Sequence, residues 1–216
     1  MAYPQAPWAL KGYAFLTLHL IDLAKASSFI PAELAIVPSI YGKTLGGIYL
    51  SQYTHGSDLI YSELIVVAGL IRRNGVVGSW ISHIYVDNPD AMAGGRDLWG
   101  LPKQMAEFHW ESGEMGQVTV RQEGQILCSL RSSGRLSLVR QRFSFPSFSL
   151  HDRTFLQFSS TAQANLAILR AKLDVPDTSP FGALIRSTPL LVMGADSLDL
   201  RVDTPIVIGS RVVGTV

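Results

Sequence analysis

Apolar and polar residues alternate with a period of two over much of the chain, which is the mark of half-buried strands. Residues 13–20 (YAFLTLHL) read this way, and 44–53, 59–71 and 76–86 follow as three strands in succession, rich in Val, Ile and Tyr. His55-Gly56-Ser57 and Asn74-Gly75 punctuate them, and Arg72-Arg73-Asn74-Gly75 predicts a hairpin, because Asn-Gly accepts the positive φ of a tight turn. Further strands are predicted at 103–110, 117–122, 126–131 and 136–143, with Gly113, Gly116, Gly124 and Gly134 as turn marks, and at 190–193, 198–202 and 206–208.

Three helices interrupt this pattern. Residues 21–30 form a short one, with Asp22 a candidate cap and Pro31 its stop. Asn88-Pro89-Asp90 starts a second, where Asn88 caps and Pro89 suits the first position; it runs to about Leu98 and ends at Gly100 or Pro102. Residues 162–173 predict a third, amphipathic helix packing through Leu166, Ile168, Leu169 and Leu173. There is no internal repeat, and 143–151 (FSFPSFSLH) is the only plausible seam. Many strands and few helices imply one mainly β (α+β) domain over residues 1–216, a barrel or a sandwich with helices plugging or covering it.

Composition narrows the function classes. Of 216 residues 47% are hydrophobic and 16% charged, against about a quarter charged in average globular chains, which excludes intrinsic disorder. Eighteen cations face seventeen acids, so no basic stripe for nucleic acid is expected. A single cysteine, Cys128, excludes a disulfide framework and a cysteine-built metal site; it lies in an apolar strand and reads as an inert buried thiol. The amino terminus lacks a basic region followed by an apolar core, and no apolar run nears the roughly twenty residues that cross a bilayer. A soluble, cytoplasmic protein without a membrane span is predicted. A lightly charged, apolar surface predicts a homo-oligomer.

Several catalytic motifs are absent: His-Glu-x-x-His, Gly-x-Ser-x-Gly and Gly-x-Gly-x-x-Gly. Gly95 and Gly100 have phosphate-loop spacing but are followed by Leu101-Pro102. The five histidines are scattered, and His19 and His83 read as packed core residues rather than metal ligands, so no metal or cofactor is predicted.

Two positions stand out. Alternation sets Glu63 on one face with Tyr61, Ile65 and Val67, while the opposite face is also apolar, so the carboxylate is hard to leave in water. It is either a structural carboxylate answered by a cation or backbone donors, or an acid–base group. Lys103 is one of five lysines; it follows Pro102 and precedes Met105 and Ala106. It is either an ordinary solvated lysine or a sheltered amine. Bringing a lysine from about 10.4 towards neutrality takes on the order of 5 kcal/mol, which either apolar walls or another cation can supply. A neutral amine attacks a ketone or aldehyde to form a Schiff base.

At these residues the chain resembles the acetoacetate decarboxylase-like superfamily. The shared features are Tyr61-Ser62-Glu63, Tyr85-Val86-Asp87-Asn88, Gly95-Arg96-Asp97 and Gly100-Leu101-Pro102-Lys103, in matching order and spacing, within a likeness covering roughly residues 8–205. Pro7-Trp8-Ala9-Leu10-Lys11-Gly12, Leu45-Gly46-Gly47 and Gly100-Leu101-Pro102 are also similar to the plant neoxanthin-deficient branch of that superfamily. The resemblance implies a closed, cone-like antiparallel barrel with an internal pocket, assembled into oligomers. It implies that Lys103 matches the Schiff-base lysine and Glu63 an active-site acid, with Tyr61, Gln104, Arg96 and Ile48 around the substrate pocket. Arg96 and Asp97 are read as tying the helix to the barrel and shaping the Lys103 turn. The departures are specific. Gln104 stands where the decarboxylases carry a second lysine, Ile48 where an ungapped count puts their upstream acid, and no arginine precedes Arg72, although Lys11 does. The expected activity is a Schiff-base lyase on a carbonyl or keto-acid substrate in an apolar pocket. The alternative is a non-catalytic barrel that binds an apolar ligand such as a carotenoid or isoprenoid.

Overall fold

A computed structural model describes residues 3–111 and 116–211; the predicted turn at Gly113 lies outside them. The first half is β1 (Trp8–Asp22), α1 (Leu23–Ala26), β2 (Ala35–Ile36), β3 (Lys43–Tyr53), β4 (Tyr61–Arg73), β5 (Val76–Val86) and α2 (Pro89–Trp99). The second half is β6 (Lys103–Met105), β7 (Glu107–Glu111), β8 (Gln117–Gln122), β9 (Gln125–His151), β10 (Thr154–Asp174), β11 (Leu191–Val202) and β12 (Ile206–Ser210). The twelve strands join one sheet.

Seven of them pair in a ring. The order β5-β4-β3-β1-β11-β10-β9 is closed because β9, antiparallel to β10, also meets β5 at Ser79↔Ser147 and Trp80↔Phe148. Most of the pairing is antiparallel, as expected. The closing β5–β9 contact and the β5–β6 pair are parallel, a departure from the purely antiparallel expectation. Lateral partners trace one row round the ring, from Ile84 through Ile65, Tyr49, Leu16, Met193 and Ile168 to Leu136. The row starts 1% exposed at Ile84 and ends 63% exposed at Leu136. The strands are therefore staggered, with one end of the row closed over and the other open.

Strand alternation sorts the apolar residues into two clusters. Ile48, Leu50, Leu64 and Val66 join one with Phe148 and Phe155, covered by Ile30, Leu34, Phe181, Leu184 and Ile185. The opposite faces of the same strands pack with Trp8, Leu10, Trp99, Phe158 and Leu200. Both faces are dry, which is why these strands read as nearly continuous apolar runs.

Local signals hold where turn or cap chemistry is specific. Asn74 and Gly75 have φ of 50° and 79°, forming the predicted β4–β5 hairpin. The predicted helix over 162–173 is instead the heart of β10. Ala162, Ala164, Ala167 and Leu169 are buried and their neighbours more exposed, and bonding to β9 and β11 on both edges overrides Ala and Leu helix propensity. The seam proposed at 143–151 lies inside β9, paired residue by residue with β10. The first helix is only four residues long; Asp22 makes no side-chain cap and instead bonds Lys43 at 2.7 Å. The strand predicted over 103–110 breaks at Ala106, because β6 pairs with β5 and β7 with β8.

Candidate active site

The segment that carries Lys103 is built from α2 onward. The Asn88 side chain accepts from the Asp90 and Ala91 amides at 2.8 and 3.1 Å, and Pro89 opens the helix. Gly100 ends it in the left-handed region at φ 60°, its N–H donating to the Arg96 carbonyl and that of Leu101 to Gly95. The reversal turns the chain back into β6, where Lys103 sits opposite Ile84 of β5. Arg96 Nε donates to the Lys103 carbonyl at 2.7 Å and locks the backbone there. Gly95 lies against the lysine stem: a Cβ on it would stand 2.4 Å from both Lys103 Cδ and Cε.

Glu63 comes from β4, between Ser51 of β3 and Val86 of β5. Its side chain and that of Lys103 are 5% and 3% exposed, and Lys103 Nζ donates to Glu63 Oε1 at 2.7 Å. Tyr53 OH donates to Glu63 Oε2 at 3.2 Å, and the Tyr49 and Tyr53 hydroxyls are 3.3 Å apart. Nζ also lies 5.0 Å from the Tyr61 ring centre and 5.6 Å from that of Trp8, within cation–π range. Burial, with the Glu63 charge adding to it, pushes the phenols of Tyr49, Tyr53 and Tyr61 well above their usual range. They remain protonated and serve as neutral donors.

This cluster opens into a cavity of about 390 Å³. All seven strands of the ring line it, mostly with apolar side chains: Trp8, Leu10, Ile65, Ile81, Phe158 and Leu200 are representative. Glu63 and Lys103 are the only charged lining residues among those described. No group of three or more His, Cys, Asp or Glu among the described residues could hold a metal ion. No helix among them is long and apolar enough to cross a membrane.

The structure brings Lys103, Glu63 and Tyr61 together on the cavity wall, and Tyr61, Glu63, Ile65 and Val67 line it as alternation predicts. Three expected pocket residues lie elsewhere. Ile48 is on the opposite face of β3, wholly buried in the other cluster, because one residue of register flips a side chain across the sheet. Gln104 neighbours Lys103 on β6, so it faces out, is exposed and accepts from Gln122. Arg96 is exposed on α2 and acts through the Lys103 carbonyl rather than the cavity. Asp97 accepts from Tyr3 OH at 2.5 Å, tying α2 to the amino-terminal segment. Sequence reasoning missed Tyr49, Tyr53, Trp8 and Trp99. The four-residue spacing of Tyr49 and Tyr53 on a strand, which sets both on one face, was the available signal.

Cys128 is fully buried, and burial pushes its thiol up to about 12. His19 is buried, with ring nitrogens 3.1 Å from Thr17 Oγ1 and 3.4 Å from Ser187 Oγ, and His83 packs against Phe29 and Phe181. Both histidines lie outside the cavity lining.

Comparison with known proteins places this architecture. "Protein NEOXANTHIN-DEFICIENT 1" of Solanum lycopersicum is 37% identical over 108 residues, which is 50% of this chain and 36% of that protein. The chain thus matches little more than a third of that relative's length. The structure of an acetoacetate decarboxylase from Legionella pneumophila superposes with a TM-score of 0.78 at 14% identity, covering 97% of this chain and 90% of that one. The enduracididine biosynthesis enzyme MppR complexed with pyruvate superposes at 0.70 and 16% identity, covering 97% and 93%. At those identities the likeness concerns the fold alone. The family profile described as acetoacetate decarboxylase (ADC) matches residues 1–157, so the chain belongs to the acetoacetate decarboxylase family.

Proposed function

We propose that the protein is a Schiff-base lyase acting on a carbonyl compound in an apolar pocket, with Lys103 as the nucleophile and Glu63 as its acid–base partner. The observation that carries this reading is the 2.7 Å contact between a lysine and a glutamate that are both almost wholly buried on a cavity wall. In the reaction, the proton shared by the pair passes to Glu63. Lys103 Nζ then attacks the carbonyl carbon; Glu63 passes the proton it holds to the oxygen and relays a second from the attacking nitrogen, so the oxygen leaves as water while the adjoining phenols stay protonated and only donate hydrogen bonds. The iminium draws the electron pair of a bond next to the former carbonyl: from a C–H bond Glu63 takes the proton, and from a C–C bond the far fragment departs as an aldehyde, its hydroxyl proton passing to Glu63, or as carbon dioxide, after which Glu63 returns a proton to the carbon. Water then releases the product and the amine. Tyr53, bonded to the second oxygen of Glu63, holds the carboxylate in line with Nζ.

The surroundings favour a neutral carbonyl over a small keto acid. No arginine lines the cavity among the described residues, and its one cation is already matched by Glu63. A substrate carboxylate would enter without a partner, at several kcal/mol. Incubation with acetone, an aldehyde or acetoacetate, followed by borohydride and mass mapping, tests the proposal. A reduced adduct on Lys103, lost in Lys103→Arg, is expected. No adduct with any of these carbonyls removes the mechanism.

A second reading has its own support: the lining is almost entirely apolar, and a curated relative is named for neoxanthin deficiency. In it the cavity carries an apolar molecule such as a carotenoid or isoprenoid without reaction. Pigment co-purifying with a chain that forms no borohydride adduct would favour this reading.

A further inference from the structure

The cavity has a second polar place, away from the amine. Ser79, Ser147 and Ser160 all line it. Ser79 and Ser147 are lateral partners across the closing β5–β9 contact. Ser147 pairs with Phe158 and Ser160 with Phe145, so the two serines are diagonal neighbours on one face of the β9–β10 pair. Ser147 and Ser160 are 3% and 4% exposed, and what surface they keep lies on the cavity wall. Buried hydroxyls seek hydrogen-bond partners, and a molecule in the cavity is within their reach.

We propose that this serine cluster is a distal binding subsite, and that the substrate is an elongated apolar carbonyl compound with a neutral polar group, such as a hydroxyl, at its far end. The proposal rests on the reading of Lys103 as the carbonyl-binding amine and names the substrate class of that site. Three observations shape it. The volume of about 390 Å³ falls in the range of sites for drug-sized ligands, far above the need of a three- or four-carbon keto acid. The two polar places are separated along β5 by the five residues from Ser79 to Ile84, the partner of Lys103, on the order of 15 Å of strand. The wall between them includes Ile81, Ile84 and Ile65. Among the described residues no charged lining side chain other than the paired Lys103 and Glu63 is available, so the serines suit a hydroxyl, ether or carbonyl rather than a carboxylate or phosphate.

Borohydride trapping on Lys103 tests this with propanal, decanal and 10-hydroxydecanal, scored by the concentration for half-maximal adduct in intact-mass spectra. Decanal is expected to trap at lower concentration than propanal, and 10-hydroxydecanal at about tenfold lower again, the equivalent of one net hydrogen bond. In the Ser147→Ala/Ser160→Ala double variant the hydroxyaldehyde should lose its advantage over decanal. Equal trapping of the two long aldehydes by the native protein overturns the subsite, as does an advantage that survives the double substitution. If no aldehyde is trapped, the lysine reading fails instead, and titration of the protein's tryptophan fluorescence with 1,10-decanediol decides the subsite. Weaker binding to the double variant keeps it; equal binding ends it.

Discussion

Replacing Lys103 with Met removes a charge and keeps an unbranched stem of similar reach, so its effect isolates what the buried pair does. Glu63 would be left 5% exposed with neutral phenols alone in answer, the Tyr53 hydroxyl 3.2 Å away and that of Tyr61 beside it. Stranding one member of a buried ion pair costs about 3–5 kcal/mol. In a chain of this size each kcal/mol moves Tm by about 2–4 °C, so a drop of about 6–20 °C is expected. Glu63→Leu should cost a similar amount, eased by the Tyr61 and Trp8 rings that flank Nζ. The combination Lys103→Met with Glu63→Leu leaves no uncompensated charge, and apolar replacement of a whole buried pair is commonly neutral or stabilising. The double variant should therefore recover most of the loss while forming no borohydride adduct. Urea midpoints of the four proteins measure this directly. If the double variant is no more stable than the poorer single, the pair is a structural support, and its burial ceases to argue for chemistry.

Other outcomes follow from single features of the structure. Gly95→Ala would drive a Cβ into the lysine stem and displace the amine; trapping on Lys103 should fall by tenfold or more while circular dichroism keeps the strand signal, and undiminished trapping would show that the stem moves freely. Cys128, with its thiol pushed up to about 12 by burial, should not react with a disulfide reagent at pH 8 until urea unfolds the chain; prompt labelling of the native protein would contradict that burial. Burial holds His19 and His83 below the usual histidine range, so the unfolded chain binds their protons more readily. Stability is thus fully present above about pH 6.5 and declines as pH falls below it, until the folded rings also titrate; urea midpoints that hold or rise between pH 7 and 5 would refute this.

How much of this was legible depended on the length scale of the signal. Local chemistry was decisive at Asn74-Gly75 and at Asn88-Pro89 with Gly100, where a few residues dictate a turn, a cap and a reversal. Period-two alternation correctly set Tyr61, Glu63, Ile65 and Val67 on one wall. It failed over 162–173, where Ala and Leu at mixed spacings imitate a helix and the strand state is imposed by two flanking partners. The same limit explains Ile48. Counting residues back from Glu63 assumes no change of strand face between them, whereas the β3–β4 register sets Ser51 opposite Glu63 and sends Ile48 to the other side. The Lys103–Glu63 contact itself spans two strands that β5 separates, a relation no spacing rule contains.

The departures from the decarboxylase pattern form one physical set. The end of the site that the proposed reaction assigns to a carbonyl holds an amine, a carboxylate 2.7 Å away, and phenols that burial keeps protonated. Where a β-keto acid would also need a grip on its carboxylate, this chain presents aromatic and aliphatic wall, and the family's second lysine is a glutamine turned outward by the pleat of β6. Gln104 therefore could not tune Nζ by adding a charge beside it. The charged group beside Nζ is the Glu63 carboxylate instead. In the proposed reaction, imine formation draws on proton transfer within the pair rather than on repulsion from a neighbouring cation. It follows that Gln104→Lys should not restore decarboxylase behaviour: an exposed amine on the outer face of β6 screens away in water and leaves the rate of trapping on Lys103 unchanged. An accelerated rate in that variant would mean that the side chain at 104 reaches the cavity after all.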